Sequence, residues 1–248
     1  MKNSSVNSAG LRGQVAGETE LCTVGQSGTG LTYRGYEITD LAENAEFEEI
    51  AFLLLKGHLP NLQELNNYKS KLKKLRNLPE EVKKVLEQIP SNSHPMDVMR
   101  TGCSILGCIE TEANFSQEDD KIDRMLALFP SIITYWYKFS HENKKINTET
   151  DDDTIGSHFL SLLHGEKPSS LYTKVMNVSL ILYAEHEFNA STFAARVCAS
   201  TLSDIHSCIT AAIGTLRGPL HGGANEAAMD LIQSFENPDD AENKLIDM

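Results

Sequence analysis

Apolar positions along this chain repeat mostly with the spacing of α-helices. In residues 61–76, leucines at 62, 65, 72 and 75 fall on one helical face. Proline or glycine marks the boundary of several such stretches, as at Gly57, Pro79 and Pro95. Residues 121–142 form a long apolar helix with Pro130 inside it, which predicts a kink or break.

A second feature of the pattern is the segment 171–187, which is apolar on nearly every side. A helix of this kind is typical of a protein core, so we expect it to be buried. Further helices are expected near 190–201 and 204–216, then from Gly223 onward, and a last one within 238–248. The pattern thus predicts ten or so helices.

The N-terminal part differs from this helical pattern. Two short runs rich in β-branched or aromatic residues, ELCTV and LTYRGY, flank the turn-rich GQSGTG, which predicts a β-hairpin. We therefore expect an all-α fold with a small N-terminal hairpin. Its predicted units are a flexible tail (1–18), the hairpin (19–36), a large helical domain (37–237) and the start of a smaller domain (238–248).

Charge and cysteine content narrow the function classes. The 248 residues carry a formal net charge of −13, which disfavours nucleic acids and anionic membrane surfaces as partners but leaves a small anionic substrate open. The five cysteines are odd in number and lack metal-type spacing, so reduced thiols are expected. The N-terminus lacks the apolar region of a signal peptide, and we expect a cytoplasmic protein without a membrane span.

The segment RGPLHGGANE (217–226) is unlike ordinary helix packing. Pro219 excludes a helix across it, so His221 lies on a tight turn just before a helix that begins near Gly223. The positive end of that helix favours a neutral imidazole, which can donate a hydrogen bond to a carbonyl oxygen that gains negative charge. Formation of an enolate beside a thioester needs such a group. The alternative, a turn histidine that bonds its own loop, stays open.

A second candidate is His186 in YAEHEFN (183–189), at the end of the apolar helix and flanked by two glutamates. The alternative here is a histidine satisfied by the helix dipole and its acidic neighbours. His94, which precedes Pro95, is expected at the edge of a site. No HExxH or Cys/His spacing is present, so no metal site is expected. The basic stretch 69–76 is interpreted as a solvated face.

The two histidine segments, LYAEHEFNAST and GTLRGPLHGGANEA, resemble the paired motifs of the citrate synthase family. The likeness extends over nearly the whole chain. Four longer strings are similar to the 2-methylcitrate synthase branch: GQVAGETELCTVGQSGTGLTYRGYEITDLAE, SHPMDVMRTG, TETDDDTIGSHFLSLLHGEKPS and VCASTLSDIHSCI.

The resemblance implies a large helical domain in a homodimer, with the active site between it and a smaller domain. It implies condensation of oxaloacetate with an acyl-CoA, where propionyl-CoA gives 2-methylcitrate and acetyl-CoA gives citrate. His221 would act on the thioester oxygen, and His186 would bind oxaloacetate. Asn189 and Gly222 would shape the substrate pocket. No metal or prosthetic group is implied, because the acyl-CoA is a substrate.

The sequence departs from the family pattern at its end. Family chains continue with a GxGHxVY-type segment, an aspartate base and substrate-binding arginines, none of which follows Met248. We therefore expect this chain to fold at least in part but not to turn over, and to expose an apolar or charged face near His186 and His221. Two other interpretations remain open: ordinary citrate synthase, and a non-catalytic helical interaction module.

Overall fold

The computed structural model describes residues 16–25, 30–112 and 114–246. Most of the predicted tail, the centre of the GQSGTG loop and the last two residues of the chain lie outside these ranges. The described part contains twelve α-helices, one short 3-10 helix and one three-stranded sheet. The predicted fold class, all-α with a small N-terminal sheet, is confirmed.

The sheet consists of strands β1 (Cys22–Val24), β2 (Leu31–Tyr33) and β3 (Tyr36–Glu37), in the order β1-β2-β3. β1 and β2 pair antiparallel, as the hairpin prediction requires. The third strand was not predicted. Arg34 and Gly35, between β2 and β3, both have positive φ (47° and 88°), which is the backbone of a tight two-residue hairpin turn.

Six helices form the first half of the helical body. They are α1 (Ile38–Asn44), α2 (Phe47–Lys56), α3 (Leu62–Lys74), α4 (Glu80–Leu86), α5 (Pro95–Ile109) and α6 (Glu118–Glu142), with the 3-10 turn Phe115–Gln117 before α6. Local sequence explains their ends. The side chain of Asn61 caps α3, Pro79 precedes α4, and α2 stops at Gly57 in the left-handed conformation.

Six more helices follow. They are α7 (Ile155–His164), α8 (Ser170–Leu182), α9 (Ala190–Ala199), α10 (Ile205–Leu216), α11 (Gly223–Gln233) and α12 (Pro238–Ile246). Polar side chains cap four of them, because Thr154, Ser169, Asn189 and Asp204 each accept a backbone N–H of the first turn.

Two groups of buried apolar side chains hold these elements together. One joins the sheet to α1, α2 and α3, and includes Tyr33, Ile50 and Leu53. The other lies between α4, α5 and α6, and includes Leu106 and Ile132 among its fully buried members. The sheet is therefore packed into the helical body rather than attached to its surface.

Of the expected kink or break at Pro130, the break is wrong, because α6 continues through this residue from Glu118 to Glu142, and a kink there stays a prediction. Proline inside a helix costs about 3 kcal/mol, since it removes one backbone hydrogen bond and crowds the preceding turn. Ten side chains of α6 are buried. Burial of each large apolar side chain contributes about 1.5–3 kcal/mol, so tertiary packing outweighs the local penalty.

The expectation that 171–187 is a buried helix is also wrong. α8 ends at Leu182, and Ile181 is its one fully buried side chain, while Leu171, Tyr172 and Val175 are exposed. A helix that is apolar on all sides needs neighbours on all sides. In the described part of the chain, α8 packs mainly against α1, α2 and α7, and these partners leave Leu171, Tyr172 and Val175 uncovered.

A buried polar network joins α6 and α7 to the segment between them. The imidazole of His158 is fully buried, with Nε2 3.2 Å from Oγ of Ser131 and Nδ1 3.0 Å from Oγ1 of Thr150. Burial, aided by the neighbouring Arg76 guanidinium, lowers the pKa of His158 to about 3. This histidine is therefore neutral and structural.

The basic stretch 69–76 interacts with acidic neighbours rather than lying free in solvent. Nζ of Lys69 lies 2.6 Å from Glu46 and 2.7 Å from Asp153, and Arg76 is buried. The pair with Asp153 connects α3 to the acidic segment before α7, and the pair with Glu46 connects α3 to the start of α2. The interpretation of the stretch as a solvated face is thus only partly right.

Candidate active site

His221 lies in a tight turn between α10 and α11 that its own backbone stabilises. The N–H groups of His221 and Gly223 both donate to the carbonyl of Gly218, at 3.0 and 3.2 Å, and the N–H of Gly222 donates to the carbonyl of Leu216 at 2.9 Å. Pro219, which prevents continuation of α10, is exposed at the outside of this turn. The predicted bend before a helix beginning at Gly223 is confirmed.

Gly222 has a steric role in this turn. A Cβ atom at this position would lie 2.5 Å from the carbonyl oxygen of Leu216, closer than real contacts allow. The glycine therefore permits the close approach of two backbone segments. Whether it also contacts substrate, as the resemblance implies, stays a prediction.

The imidazole of His221 is held by the first turn of α9. Its Nε2 atom lies 3.3 Å from the backbone N of Ser191, which donates, and 2.9 Å from Oγ of the same residue. A backbone N–H is a fixed donor, whereas a hydroxyl can rotate. The nitrogen that accepts this N–H therefore carries no proton, and the favoured neutral tautomer has its proton on Nδ1.

This arrangement leaves Nδ1–H as the free donor of His221. The Ser191 hydroxyl, whose Oγ lies 2.9 Å from Nε2, donates to Oδ1 of Asn189 at 2.7 Å. The contact of the His221 ring with the N-terminus of α9 was not predicted, and the neutral imidazole expected from the helix N-terminus at Gly223 stays a prediction. The alternative that His221 bonds only its own loop is wrong, because its ring contacts another helix.

Asn189 is the N-cap of α9. Its Oδ1 accepts the N–H of Thr192 at 2.9 Å and lies within reach of the Ser191 hydroxyl. The side chain thereby orients the turn that holds His221. A direct contact of Asn189 with substrate, which the resemblance implies, stays a prediction.

His186 lies in the loop between α8 and α9, three residues before Asn189, and its side chain is exposed. It does not end the apolar helix, which stops at Leu182. Its two glutamate neighbours are turned toward the sheet: Glu185 Oε1 accepts the thiol of Cys22, and Glu187 Oε1 accepts the N–H of Val24. His186 is thus exposed, whereas both of its glutamate neighbours contact the sheet.

His94 connects this region to α5. Its Nδ1 accepts the N–H of Met96 at 3.1 Å, so its Nε2 carries the proton and lies 2.6 Å from Oε1 of Glu226 in the first turn of α11. The expectation that His94 lies at the edge of the candidate site is consistent with this contact, which ties the helix after His221 to the helical body.

Two residues of the site were not identified from sequence, Ser191 and Glu226. Ser191 lies within the helix start Asn-Ala-Ser-Thr, which signals a cap but not a partner 30 residues away. Glu226 lies in the motif that contains His221, yet its contact with His94 spans 132 residues. Neither contact has a local signal in the sequence.

The surroundings of the two histidines include exposed apolar side chains. Tyr183, three residues before His186, is 75% exposed, and Leu220, next to His221, is fully exposed. These exposures agree with the expected uncovered face near the site.

A cavity of about 700 Å³ lies elsewhere, between Glu46 and the segment 146–168. It contains neither His186 nor His221, and its lining carries several carboxylates, which disfavours an anionic ligand there. Among the described residues, no group of three or more His, Cys, Asp or Glu side chains is placed to hold a metal ion. No helix in the described ranges is long and apolar enough to cross a bilayer.

Comparison with known proteins agrees with the motifs and the fold. The family model described as "Citrate synthase, C-terminal domain" matches residues 10–248. The chain is 68% identical over 238 residues to a 2-methylcitrate synthase of Shewanella oneidensis, covering 96% of this chain and 64% of that protein. It is 41% identical to citrate synthase 2 of Bacillus subtilis, covering 94% of this chain and 63% of that protein.

Solved structures give the same answer. A citrate synthase of Thermoplasma acidophilum, in a ternary complex with carboxymethyl coenzyme A and oxaloacetate, matches with a TM-score of 0.86 at 34% identity, over 95% of this chain and 62% of that one. The citrate synthase of Thermotoga maritima matches with a TM-score of 0.84 at 34% identity, over 96% of this chain and 63% of that one. The chain thus spans less than two thirds of the length of these relatives, and it belongs to the citrate synthase family.

Proposed function

We propose that this chain is part of a 2-methylcitrate synthase. The reaction removes a proton from the carbon next to the thioester of propionyl-CoA, joins that carbon to the ketone carbon of oxaloacetate, and hydrolyses the thioester with water. The products are 2-methylcitrate and free CoA. The acyl-CoA is a substrate, so no metal or prosthetic group is needed for these steps.

The observation that carries the proposal is the hydrogen bonding of His221. With Nε2 occupied by Ser191, the ring offers Nδ1–H as a donor. A donor aimed at the thioester oxygen stabilises the negative charge that develops when the adjacent carbon loses its proton. A neutral donor suits this step because its own proton stays in place.

His186 is proposed to bind oxaloacetate. Its exposed imidazole lies in the loop that leads into α9, whose first turn holds His221. The loop that carries His186 therefore leads directly into the helical turn that contacts His221. A neighbour of similar fold has been solved with oxaloacetate and a coenzyme A derivative bound, which supports a site for both substrates.

The choice of acyl chain rests on sequence likeness. Identity to the Shewanella 2-methylcitrate synthase is 68%, against 41% to the Bacillus citrate synthase 2. Propionyl-CoA and acetyl-CoA differ by one methylene, and such a difference changes transition-state binding by about 1–3 kcal/mol. We therefore propose preference for propionyl-CoA with measurable turnover of acetyl-CoA. Ordinary citrate synthase is the second candidate.

We further propose that these 248 residues alone do not turn over. The first step needs a general base near the thioester. The carboxylates that flank His186 contact Cys22 and Val24, and Glu226 contacts His94. None of these three acids is free for proton removal.

A homodimer is proposed from the surface of α9. Its sequence is largely apolar, yet none of its residues is buried, and Val197 is 52% exposed. A second copy of the chain packed on α9 would remove this surface from water. A cytoplasmic location is proposed from the five cysteines, all of which are free thiols.

The proposed function is tested by chromatographic detection of free CoA after mixing the chain with oxaloacetate and either propionyl-CoA or acetyl-CoA. A version extended past Met248 with the family's further segments is assayed in parallel, with His221→Ala as the inactive control. Detection by chromatography avoids interference from the protein's own thiols.

We expect no release from the chain alone and release by the extended version, fastest with propionyl-CoA. Release by the chain alone contradicts the proposal that it lacks a base. Faster turnover of acetyl-CoA favours ordinary citrate synthase. No release by either version favours the non-catalytic interaction module.

A further inference from the structure

The loop that carries His186 is held by the N-terminal sheet. Its anchors are Cys22 in β1, which is 3% exposed, and Tyr33 in β2, which is fully buried. Both side chains lie more than 145 residues earlier in the sequence than the loop they contact. The partners of the Cys22 thiol and the Tyr33 hydroxyl therefore lie in this loop and at the end of α8, and not in the strands themselves.

The thiol of Cys22 contacts the residues on both sides of His186. Sγ accepts the backbone N–H of Glu187 at 3.0 Å, and its S–H donates to Oε1 of Glu185 at 3.6 Å. Burial raises the pKa of this thiol to about 11, so it keeps the proton that it donates. One sulfur atom thus fixes the chain immediately before and after His186.

The phenol of Tyr33 makes a second connection. Its hydroxyl donates to the carbonyl of Ile181 at 2.9 Å, at the end of α8, and accepts the N–H of Glu185 at 3.3 Å. The hydroxyl therefore joins the last turn of the helix to the loop that follows.

Glu187 is in an uncommon backbone conformation, with φ of +57°. Such a left-handed conformation is unfavourable for a residue with a side chain and persists where the surroundings enforce it. Here the N–H of Glu187 bonds Cys22 and its carboxylate accepts the N–H of Val24 at 3.3 Å. The sheet thereby selects the reversal of the chain that directs His186 outward.

We propose that Cys22 and Tyr33 are positioning residues for His186, and that the N-terminal sheet orients this imidazole toward the substrate. The inference rests on the proposed role of His186 in binding oxaloacetate. Neither Cys22 nor Tyr33 contacts substrate in this proposal, because both are buried behind the loop. They act through the backbone of Glu185 and Glu187.

The test follows the histidine ring resonances of the whole 248-residue chain by NMR, with His186 assigned from His186→Gln. Tyr33→Phe and Cys22→Ala remove the contacts. The matched controls are Tyr36→Phe, which removes a phenol from an exposed residue of the same sheet, and Cys108→Ala, which removes an exposed thiol. Cys22→Ser retains a donor and an acceptor and serves as the conservative variant.

We expect Tyr33→Phe and Cys22→Ala to shift the His186 resonance and to accelerate amide exchange across 184–188 by roughly tenfold, the effect of losing about one hydrogen bond. The controls leave both unchanged, and Cys22→Ser restores them at least in part. An unshifted His186 resonance in Tyr33→Phe overturns the proposal. Equal acceleration in all helices also overturns it, because the residues would then act on the whole fold.

Titration with oxaloacetate separates this inference from the proposed function. If His186 binds oxaloacetate, its resonance responds in the parent chain, and Tyr33→Phe weakens the apparent affinity by roughly the same tenfold factor. If the variants shift His186 but oxaloacetate leaves the parent spectrum unchanged, the substrate role of His186 fails while the positioning by the sheet stands. Because Tyr33→Phe removes one oxygen atom and no apolar surface, it tests the proposal even if Cys22→Ala does not fold.

Discussion

The Nε2 atom of His221 lies 2.9 Å from Oγ of Ser191 and accepts the backbone N–H of that residue at 3.3 Å. The N-terminal turn of α9 thus supplies the partner that assigns the proton of His221 to Nδ1. The contact connects two segments that are separate in the sequence, one following His186 and the other containing His221. Which ring nitrogen of His221 carries the proton therefore depends on the packing of α9 against the 217–223 turn.

Removal of the Ser191 N–H is expected to change the tautomer of His221. In Ser191→Pro the hydroxyl and the N–H are both lost, and proline is tolerated in the first turn of a helix because the N–H groups there have no intrahelical partner. Nitrogen NMR of the imidazole should change from a single Nδ1–H form to a mixture of both neutral tautomers. Ala190→Pro, which retains the Ser191 N–H, is the matched control. A single Nδ1–H form in Ser191→Pro would contradict the assignment.

A methyl group at position 222 is expected to distort the turn that holds His221. In Gly222→Ala the new Cβ meets the Leu216 carbonyl oxygen at 2.5 Å, and overpacking of this kind costs about 1–3 kcal/mol. Gly214→Ala, within α10, is the matched control, because its Cβ would lie at an ordinary distance of 3.6 Å from Cδ of Arg100, and the variant should stabilise the protein by roughly 0.5–1 kcal/mol. The urea concentration at the midpoint of unfolding should therefore fall for Gly222→Ala and rise for Gly214→Ala. Equal effects would contradict the steric role.

The contact between His94 and Glu226 is expected to stabilise α11 locally. Glu226→Gln removes the charge that faces the Nε2–H of His94, and a partly exposed pair of this kind contributes about 0.2–1 kcal/mol. Amide exchange in 223–233 should increase by a few-fold with little change in the unfolding midpoint. Asp230→Asn makes the same charge change one turn later in α11 and should leave exchange unaltered. Identical exchange in both variants would show that the contact does not restrain the helix.

Buried His158 is expected to make the fold sensitive to acid. Its pKa is about 3 in the folded chain and about 6.5 when unfolded, so below pH 6.5 the unfolded state binds a proton that the folded state does not. The free energy of unfolding should therefore fall as pH drops from about 6.5 toward 3, by up to about 1.4 kcal/mol per pH unit from this group. Above pH 6.5 this contribution is constant.

Urea unfolding at several pH values checks the assignment to His158. His158→Gln should lower the free energy of unfolding at neutral pH. It should also make the decline of this free energy between pH 6.5 and 4 less steep, because up to one proton fewer is taken up on unfolding. His164→Gln, at an exposed position in the same helix, should retain the parent slope. If the free energy of unfolding of His158→Gln falls with pH as steeply as that of the parent chain, other groups cause the acid sensitivity.

A charge at Val197 is expected to dissociate the proposed homodimer. Val197→Asp places a carboxylate on the unburied apolar helix α9, where a second copy would have to desolvate it. Sedimentation should then give the monomer mass, 27.4 kDa. Val175→Asp introduces the same charge at an exposed valine of α8 and should retain the dimer. Dissociation by Val175→Asp alone would place the interface on α8, and a monomeric parent would contradict the homodimer.

Much of the local structure was predictable from sequence. The helices near 190–201 and 204–216, the proline starts at Pro79 and Pro95, and the hairpin all appear, with their ends shifted by a few residues. These features depend on hydrogen bonds between residues a few positions apart and on the fixed φ of proline. The continuity of α6 through Pro130 was not predictable, because burial against other helices decides it.

By itself, the sequence determined the all-α class, the two histidine segments and the turn before Gly223, since each depends on residues close together in the chain. The tertiary structure alone decided that Ser191 holds His221, that Cys22 and Tyr33 hold the loop of His186, and that α8 is largely exposed. The Cys22 contact spans 165 residues. Such contacts form because packing of the whole chain brings these groups within hydrogen-bonding distance, and no local periodicity or propensity encodes that distance.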